Sequence, residues 1–215
     1  MVNIDFIMKT IIASRTEKYN KLSPQGYWSG SAFEDARVRF GQDYKGKFGE
    51  DILFELIKDY TDIPVEWDED KNTNKNDGVY DLFWYLHNNK NRKRRVEVKT
   101  SGRTISKGKL CGWQHDNVYF TDNKWDKLIF YDYDANPDVV YLTIVDYDQL
   151  VKDNTIDLSL FGKNGHVRKN EEGKAKVDFS MKSIKSGIDN NVTLKYDVNN
   201  PDNEELINFL NEKLG

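Results

Sequence analysis

The chain has 215 residues, 38% of them hydrophobic and 13% aromatic, which is enough to build one packed domain with a very polar surface. Its formal net charge of -4 gives no overall sign of a polyanion partner, although binding to a polyanion depends on where the charges lie. Because Cys111 is the only cysteine, intrachain disulfides and cysteine-based zinc sites are excluded. No apolar run is long enough to span a bilayer, so a soluble cytoplasmic protein with no membrane partner is expected.

The first residues are expected to belong to the fold. Asp5 and Lys9 interrupt the apolar stretch Met1–Ala13, and no small-residue cleavage site follows it, which argues against a signal peptide. Ser31 then predicts the N-cap of a helix over about residues 32–40.

The clearest helix is predicted over Lys47–Tyr60. Apolar residues recur there at helical spacing and form one stripe: Phe48, Ile52, Leu53, Leu56, Ile57 and Tyr60. Glu50 lies at the margin of this stripe, where its carboxylate can reach past the core toward the element that the helix packs on.

Val79–Leu86 is the strongest predicted strand, after a short β-prone stretch at Ile63–Trp67. Its side chains alternate between two faces. Asp81 lies on one face, and the other face is apolar, with Leu82, Trp84 and Leu86.

A second strand is predicted over Arg94–Thr100, after a turn at residues 87–91, with Val96 and Val98 facing inward. Two further core strands are predicted over Lys127–Tyr133 and Val139–Val145.

A final amphipathic helix begins at Pro201–Asn203 and carries apolar residues at helical spacing: Leu206, Phe209, Leu210 and Leu214. Together these elements predict an α/β (α+β) fold in which helices flank a mixed central β-sheet.

Basic residues are concentrated in two segments of this acidic chain. The first contains a lone acid, Glu97, among many cations: Lys90, Arg92, Lys93, Arg94, Arg95, Lys99, Arg103, Lys107 and Lys109. The second is milder: Lys163, Arg168, Lys169, Lys174, Lys176, Lys182 and Lys185. Such clusters either contact a polyanion or are solvated loops, and the sequence leaves both interpretations open.

The two strands around the turn are predicted to form an antiparallel hairpin in which Asp81 lies opposite Glu97. Directly opposed residues share a face, with Cβ atoms about 4.5–5.5 Å apart. Lys99 follows Glu97 by two residues and therefore lies on the same face. Two acids and one lysine thus converge on one side of a hairpin whose other side is apolar.

Two carboxylates at this separation repel each other unless a countercharge lies between them. A divalent cation supplies it, and the hard oxygen ligands favour Mg²⁺. Such a metal polarises a phosphate oxygen and lowers the pKa of a bound water, while Lys99 can orient the water or stabilise negative charge on phosphorus. The alternative that remains open is a plain cross-strand salt bridge of Asp81, Glu97 and Lys99.

Three segments in this order resemble the PD-(D/E)XK nuclease superfamily: Gly49-Glu50 in a helix, Asp77-Gly78-Val79-Tyr80-Asp81-Leu82, and Val96-Glu97-Val98-Lys99-Thr100. The resemblance covers roughly residues 46–115. It implies that Asp81 and Glu97 ligate the metal together with the carbonyl of Val98. It further implies that Lys99 serves the attacking water and that Glu50 is a supporting acid or a ligand of a second metal.

One departure from the family pattern is the missing proline, because Tyr80 precedes Asp81. Asp77 is therefore a rival metal ligand, although it lies before the strand. By resemblance, Gln114 is a candidate polar residue on the next element, and His115 is a candidate for contact with DNA or water. The full set of expected DNA contacts is Arg92, Lys93, Arg94, Arg103, Lys107, Gln114, His115 and Arg168.

The resemblance implies a Mg²⁺-dependent endonuclease acting on double-stranded DNA, and the chain length favours a type II restriction endonuclease. We expect a single nuclease domain over 1–215, with a catalytic core over about 31–150. The subregion over about 151–215 is then a candidate for DNA recognition or for a homodimer interface. A structure-specific nuclease, such as a junction resolvase or repair enzyme, and a non-catalytic nucleic-acid-binding module of the same fold are the alternatives.

Overall fold

A computed structural model describes residues 27–36, 42–68, 80–86, 89, 91–106, 109–121, 123–135, 137–171 and 173–215. The expectations for Met1–Ala13, for the end of the helix over 32–40, for Asp77 and for Lys107 lie outside these residues. Within them, no helix is both long and apolar enough to cross a membrane.

The described chain is mixed α/β, as the sequence predicts. The helices are α1 (Gln42–Tyr60), α2 (Tyr147–Leu150), α3 (Met181–Asp189) and α4 (Asn203–Leu214), with a 3-10 helix at Ser159–Asn164. The strands are β1 (Glu66–Trp67), β2 (Leu82–Tyr85), β3 (Lys93–Gly102), β4 (Ile105–Ser106), β5 (Lys109–Leu110), β6 (Trp113–Tyr119), β7 (Lys127–Asp134), β8 (Val139–Asp146), β9 (Val151–Lys152), β10 (Thr155–Ile156), β11 (His166–Glu171), β12 (Lys174–Phe179) and β13 (Thr193–Asp197).

The main sheet has six strands in the order β1-β2-β3-β7-β8-β13. Strands β3 and β7 pair in parallel, whereas the other neighbours pair antiparallel. A parallel pair needs a long connection, and here that connection contains β6, which leaves the main sheet and joins a second one. The second sheet has three strands in the order β11-β12-β6. The expectation of a mixed central sheet is confirmed.

The main sheet separates two apolar cores. Val96 and Val98 of β3 face the first core, which also contains the apolar residues of α1 and α4. Leu128 and Phe130 of β7 face the second core, which the three-stranded sheet, the 3-10 helix and α3 cover. Because side chains alternate along a strand, β7 and β8 each supply both cores.

The predicted hairpin register is confirmed. Strand β2 pairs with β3 so that Leu82 lies opposite Val96 and Phe83 opposite Arg95. Strand β2 is shorter than the predicted Val79–Leu86, because pairing begins only at Leu82. Asp81 directly precedes β2 and its N–H donates to the Val96 carbonyl, so the paired register does not include the predicted opposition of Asp81 and Glu97.

Other predicted elements differ from the structure mainly at their ends. Helix α1 begins at Gln42 and not at Lys47, and the stretch predicted at Ile63–Trp67 shortens to the two residues of β1. Residues 34–36 are helical, and Ser31 accepts a hydrogen bond from the Phe33 N–H, as the predicted N-cap requires. The last helix begins after Asp202, whose side chain accepts a hydrogen bond from the Glu205 N–H.

Helix α1 packs very closely against β3. The Thr100 hydroxyl donates a hydrogen bond to the Gly46 carbonyl at 3.2 Å. A Cβ atom at Gly49 would lie 1.9 Å from Oγ1 of Thr100 and 3.0 Å from its Cβ and Cγ2 atoms, so rotation of the threonine cannot make room. The missing side chain at Gly49 thus sets the distance between helix and sheet.

We expect Gly49→Ala to lower the free energy of unfolding by about 1–3 kcal/mol, because the added methyl forces the helix away from β3. Gly46→Ala is the matched control in the same helix, since nothing lies within 4 Å of a Cβ there. Alanine at that position should stabilise by roughly 0.5–1 kcal/mol through its better helix propensity. Urea denaturation of both variants tests this, and equal midpoints would contradict the close packing.

Candidate active site

Asp81 uses its main chain and its side chain to join the start of β2 to β3. Its N–H donates to the Val96 carbonyl at 2.7 Å, and its Oδ2 accepts the Val98 N–H at 2.6 Å. The side chain is buried, with 2% exposure for the residue. A carboxylate thus takes the place that the next carbonyl of a longer β2 strand would hold.

Val98 contributes a main-chain oxygen on the same side. In an extended strand, the N–H and C=O of one residue point toward the same neighbouring strand. Since the Val98 N–H meets Asp81, the Val98 carbonyl is directed toward that open side of β3 as well.

Glu97 and Lys99 lie on the face of β3 away from the first core. Their neighbours on β7 are Leu128 and Phe130, so both charged groups lie beside apolar residues. Glu97 is buried, and the Lys99 ammonium donates to its Oε1. The ion pair offsets the electrostatic penalty of holding Glu97 close to Asp81.

Glu50 approaches the same region from α1. Its carboxylate accepts a hydrogen bond from the Lys47 ammonium at 3.1 Å, and its side chain is 15% exposed. Lys47 also lies 3.8 Å from the ring centroid of Trp67. The lysine is therefore held by a carboxylate and an aromatic ring, and it fixes Glu50 in turn.

These groups share one cleft of about 560 Å³. One wall consists of β3 and the first turns of α1, and the opposite wall is β6. The residues that line it are Gly46, Glu50, Asp81, Glu97, Val98, Lys99, Thr100, Ser101, Gly102, Thr104, Gln114, His115, Asp116, Asn117, Tyr119 and Tyr133. The structure thus brings together all five residues that the resemblance assigns to catalysis or metal binding.

The carboxylate and carbonyl oxygens in this cleft are of the type that a hard cation binds. They are too few to fill its coordination shell, so water must supply the remaining ligands. Among the described residues, no three side chains of Asp, Glu, His or Cys are grouped closely enough to hold a metal ion by themselves. Asp81 and Glu97, with the Val98 carbonyl, form a two-carboxylate donor set. Mg²⁺ is commonly bound by one or two carboxylates while keeping several waters.

The basic residues expected to contact DNA differ in their surroundings. Arg92 is exposed. Lys93 packs its ammonium 3.7 Å from the Phe83 ring centroid and donates to the Tyr80 hydroxyl, and Arg94 is half-buried. The hairpin turn that carries them is at the opposite end of β2 from Asp81. Along β3, Arg92 lies about 16 Å from Glu97 at about 3.3 Å per residue.

Two other expected contacts are ion-paired within the protein. Arg103 donates to Asp134 at 2.8 Å and to the Cys111 carbonyl at 3.0 Å. Arg168 donates to Asp178 at 2.6 Å, although its side chain remains 59% exposed. A phosphate would have to compete with an aspartate for either guanidinium.

His115 is placed differently from the expectation that it contacts DNA or solvent. Its side chain is 0% exposed and packs on Phe130 and Phe179 in the second core. Nε2 lies 3.0 Å from Oδ1 of Asp132, without the alignment of a good hydrogen bond. Burial raises the pKa of Asp132, and the nearby His115 reduces this increase. An imidazole so enclosed cannot reach DNA, because β6 turns this position inward.

Several cleft residues lie outside the sequence-based prediction, notably Thr104, Asp116, Asn117 and Tyr119. All but Thr104 belong to β6, for which the sequence analysis predicts no strand. The apolar Trp113 followed by the polar Gln114 is compatible with the alternation of a half-buried strand. That alternation is hard to recognise in the sequence, because the polar His115 points inward and the next two residues are both exposed.

Comparison with family models, with curated proteins and with solved structures finds no match to this chain. Function is therefore inferred from the geometry of the cleft and from the order of the motif residues.

The hairpin of β2 and β3 is joined to the start of β7 by a bidentate ion pair between Arg95 and Asp126. Arg95 donates from Nε and Nη2 to Asp126 at 3.0 and 2.9 Å, and its main-chain N–H adds a third bond at 2.7 Å. Burial alone would raise the pKa of Asp126, but these bonds to Arg95 hold it below its ordinary value of 3.8. The Arg95 guanidinium therefore has a structural role, because its hydrogen bonds to Asp126 hold β3 against the start of β7.

We expect Asp126→Asn to destabilise the protein by about 1.5–3 kcal/mol at neutral pH, the range for hydrogen bonds to charged groups. An aspartate with a lowered pKa stabilises the fold above 3.8, and this contribution is lost as the pH falls through its folded-state value. The difference between wild type and variant should therefore shrink below pH 3.8 in thermal melts. Asp116→Asn, which breaks a more exposed pair with Lys176, should change stability by no more than about 1 kcal/mol. A difference that is independent of pH would contradict the role of the Asp126 charge.

Proposed function

We propose that this protein is a Mg²⁺-dependent endonuclease with a restriction-endonuclease-like core that hydrolyses phosphodiester bonds of double-stranded DNA, as a type II restriction endonuclease does. The observation that carries the proposal is the convergence of Asp81, Glu97, Lys99 and Glu50 on one cleft. A plain salt bridge accounts for Glu97 and Lys99. It does not require the two further carboxylates, Asp81 and Glu50, that line the same cleft.

The residues present fit Mg²⁺. Asp81, Glu97 and the Val98 carbonyl would hold it, all as oxygen ligands on one side of β3. Mg²⁺ bound there would polarise a phosphate oxygen and lower the pKa of a coordinated water.

The chain's own residues supply the remaining requirements. Lys99 places an ammonium next to Glu97, where it can hold the attacking water by hydrogen bonding and stabilise negative charge on the phosphate. Glu50, oriented by Lys47, adds a carboxylate that can accept a proton or a hydrogen bond from water. The apolar neighbours of Glu97 and Lys99 on β7 keep water away from one side of the ion pair and strengthen its field.

Lys99 is the one cation among the described residues that line the cleft, so a phosphodiester would be held there by Lys99 and the bound Mg²⁺. Arg92 lies on the hairpin turn at the opposite end of β2, where it can contact a more distant phosphate of the same duplex. Phosphate contacts of this kind position a duplex without reading its sequence. The choice of DNA as substrate rests on the resemblance to the PD-(D/E)XK superfamily.

We expect Asp81→Asn, Glu97→Gln and Lys99→Met each to lower the cleavage rate by at least about 100-fold, since each removes a group that acts on the reacting phosphate. The assay is incubation of long unmethylated DNA with the protein and Mg²⁺, followed by gel analysis. Discrete bands support a restriction enzyme, and a smear supports a non-specific or structure-specific nuclease.

Asp116→Asn is the matched control, because Asp116 lines the same cleft on the opposite wall and pairs with Lys176. It should cleave at a rate close to wild type. DNA binding measured with Ca²⁺ should survive in all four variants. Intact DNA with retained binding by the wild type would overturn the nuclease and favour a non-catalytic binding module.

Arg92→Gln should flatten the salt dependence of DNA binding, because each neutralised phosphate contributes about 0.9 to the slope of log K against log salt. Arg95→Gln is the control, because it removes an equal charge from β3. Arg95 is already neutralised by Asp126, so this substitution should leave the slope nearly unchanged. Fluorescence anisotropy between 50 and 200 mM salt, roughly the range over which such slopes are measured, compares the two variants. Identical slopes for Arg92→Gln and wild type would show the turn to be solvated and not in contact with DNA.

A further inference from the structure

The wall of the cleft opposite the catalytic hairpin presents polar side chains from β6. Trp113, His115 and Val118 point into the second core and are buried. Gln114, Asp116 and Asn117 are exposed and line the cleft. The inward-facing residues of β6 therefore fix this wall to the second core, and its outward-facing residues are accessible to a ligand in the cleft.

A bulge interrupts β6 at this place. His115 pairs with Val177 and Val118 pairs with Ala175, so Asp116 and Asn117 together lie opposite the single residue Lys176. A bulge of this kind bends the strand and redirects a side chain, and bulges are frequent beside active sites.

The backbone at Asn117 adopts a left-handed conformation, with φ of 56°. Four other non-glycine residues of the described chain have positive φ, and all four lie in turns between elements: Asn123, Asp153, Asn154 and Asn191. Asn117 alone among these five lies within a strand. Residues held in this region cost of order 1 kcal/mol or more and cluster at ligand sites.

The carboxamides of Gln114 and Asn117 have no hydrogen-bond partner among the described residues, whereas Asp116 is neutralised by Lys176 at 3.1 Å. The protein thus leaves two carboxamides available, each with an NH2 group that donates and an oxygen that accepts. The charged side chain between them, Asp116, forms an ion pair with Lys176.

We infer that Gln114 and Asn117 read adenine bases of a DNA duplex held against the catalytic hairpin. An asparagine or glutamine carboxamide matches the N6 donor and N7 acceptor that adenine shows in the major groove, a groove wide enough for a β-ribbon. The inference rests on the proposed nuclease function and adds to it the element that determines specificity.

The strand geometry gives the spacing of the two positions. At about 3.3 Å per residue, three residues of extended strand span about 10 Å, and the bulge shortens this. With about 3.4 Å per base pair, the two carboxamides reach bases that are about two to three steps apart. The preferred site should therefore contain two adenines at this separation.

The test is cleavage of a randomised duplex library, read by sequencing of the cut ends, for wild type, Asn117→Gly and Gln114→Ala. Each variant should lose the preference for adenine at one position by about 5- to 150-fold, which corresponds to one bidentate base contact. Glycine tolerates positive φ, so the melting temperature of Asn117→Gly should not fall. Asn117→Asp should shift the preference at its position toward cytosine, whose N4 donates to a carboxylate.

Asn154→Gly is the matched control, since Asn154 has a φ of 55° in the exposed turn between β9 and β10, away from the cleft. It should keep the wild-type preference. If both β6 variants keep it too, or if wild-type cleavage shows no base preference, the inference is overturned and the nuclease stands. If the wild type neither cuts nor binds the library with Mg²⁺ or Ca²⁺, the proposed function and the inference fall together.

Discussion

The hydrogen bond from the Val98 N–H to the Asp81 carboxylate organises the cleft. Strand β2 begins two residues too late to pair with Val98 of β3, so β3 would otherwise expose an unpaired N–H in a buried region. The aspartate satisfies it, and the cost of an unsatisfied buried donor is avoided. The same bond places a carboxylate next to Glu97 and leaves the Val98 carbonyl directed toward the cleft. The Asp81 side chain thus both satisfies a buried main-chain donor and supplies a carboxylate to the cleft.

The rest of the structure holds β3 in place around that bond. Helix α1 approaches β3 closely because Gly49 has no side chain, and this approach brings Glu50 to the cleft. On the other side, Arg95 and Asp126 fasten β3 to β7 where their parallel pairing begins. The second core then supports β6 as a wall that is separate from the main sheet. The cleft lies between two sheets that meet along β3 and diverge.

The distribution of charge separates groups that serve the fold from groups that face a ligand. Arg95, Arg103 and Arg168 each pair with an aspartate, so their positive charge is largely neutralised within the protein. Arg92 is exposed on the hairpin turn. A polyanion would therefore meet fewer available cations than the sequence clusters imply, consistent with a chain whose net charge is -4. In the proposed complex with DNA, specificity would depend more on neutral hydrogen-bonding groups in the cleft than on bulk electrostatics.

The sequence by itself determined the local parts of this protein. The apolar stripe of α1, the alternation along β2 and β3 and the length of their turn predicted the helix, the hairpin and the register in which Leu82 lies opposite Val96. These features depend on residues close together in the chain, where periodicity is informative. Only the tertiary structure decided the parallel pairing of β3 with β7, the second sheet, the burial of His115 and the bulge at Asn117. Each of these depends on contacts between residues far apart in the chain, and burial on both faces of β7 and partial burial of β6 removed the simple alternation that a half-exposed strand shows.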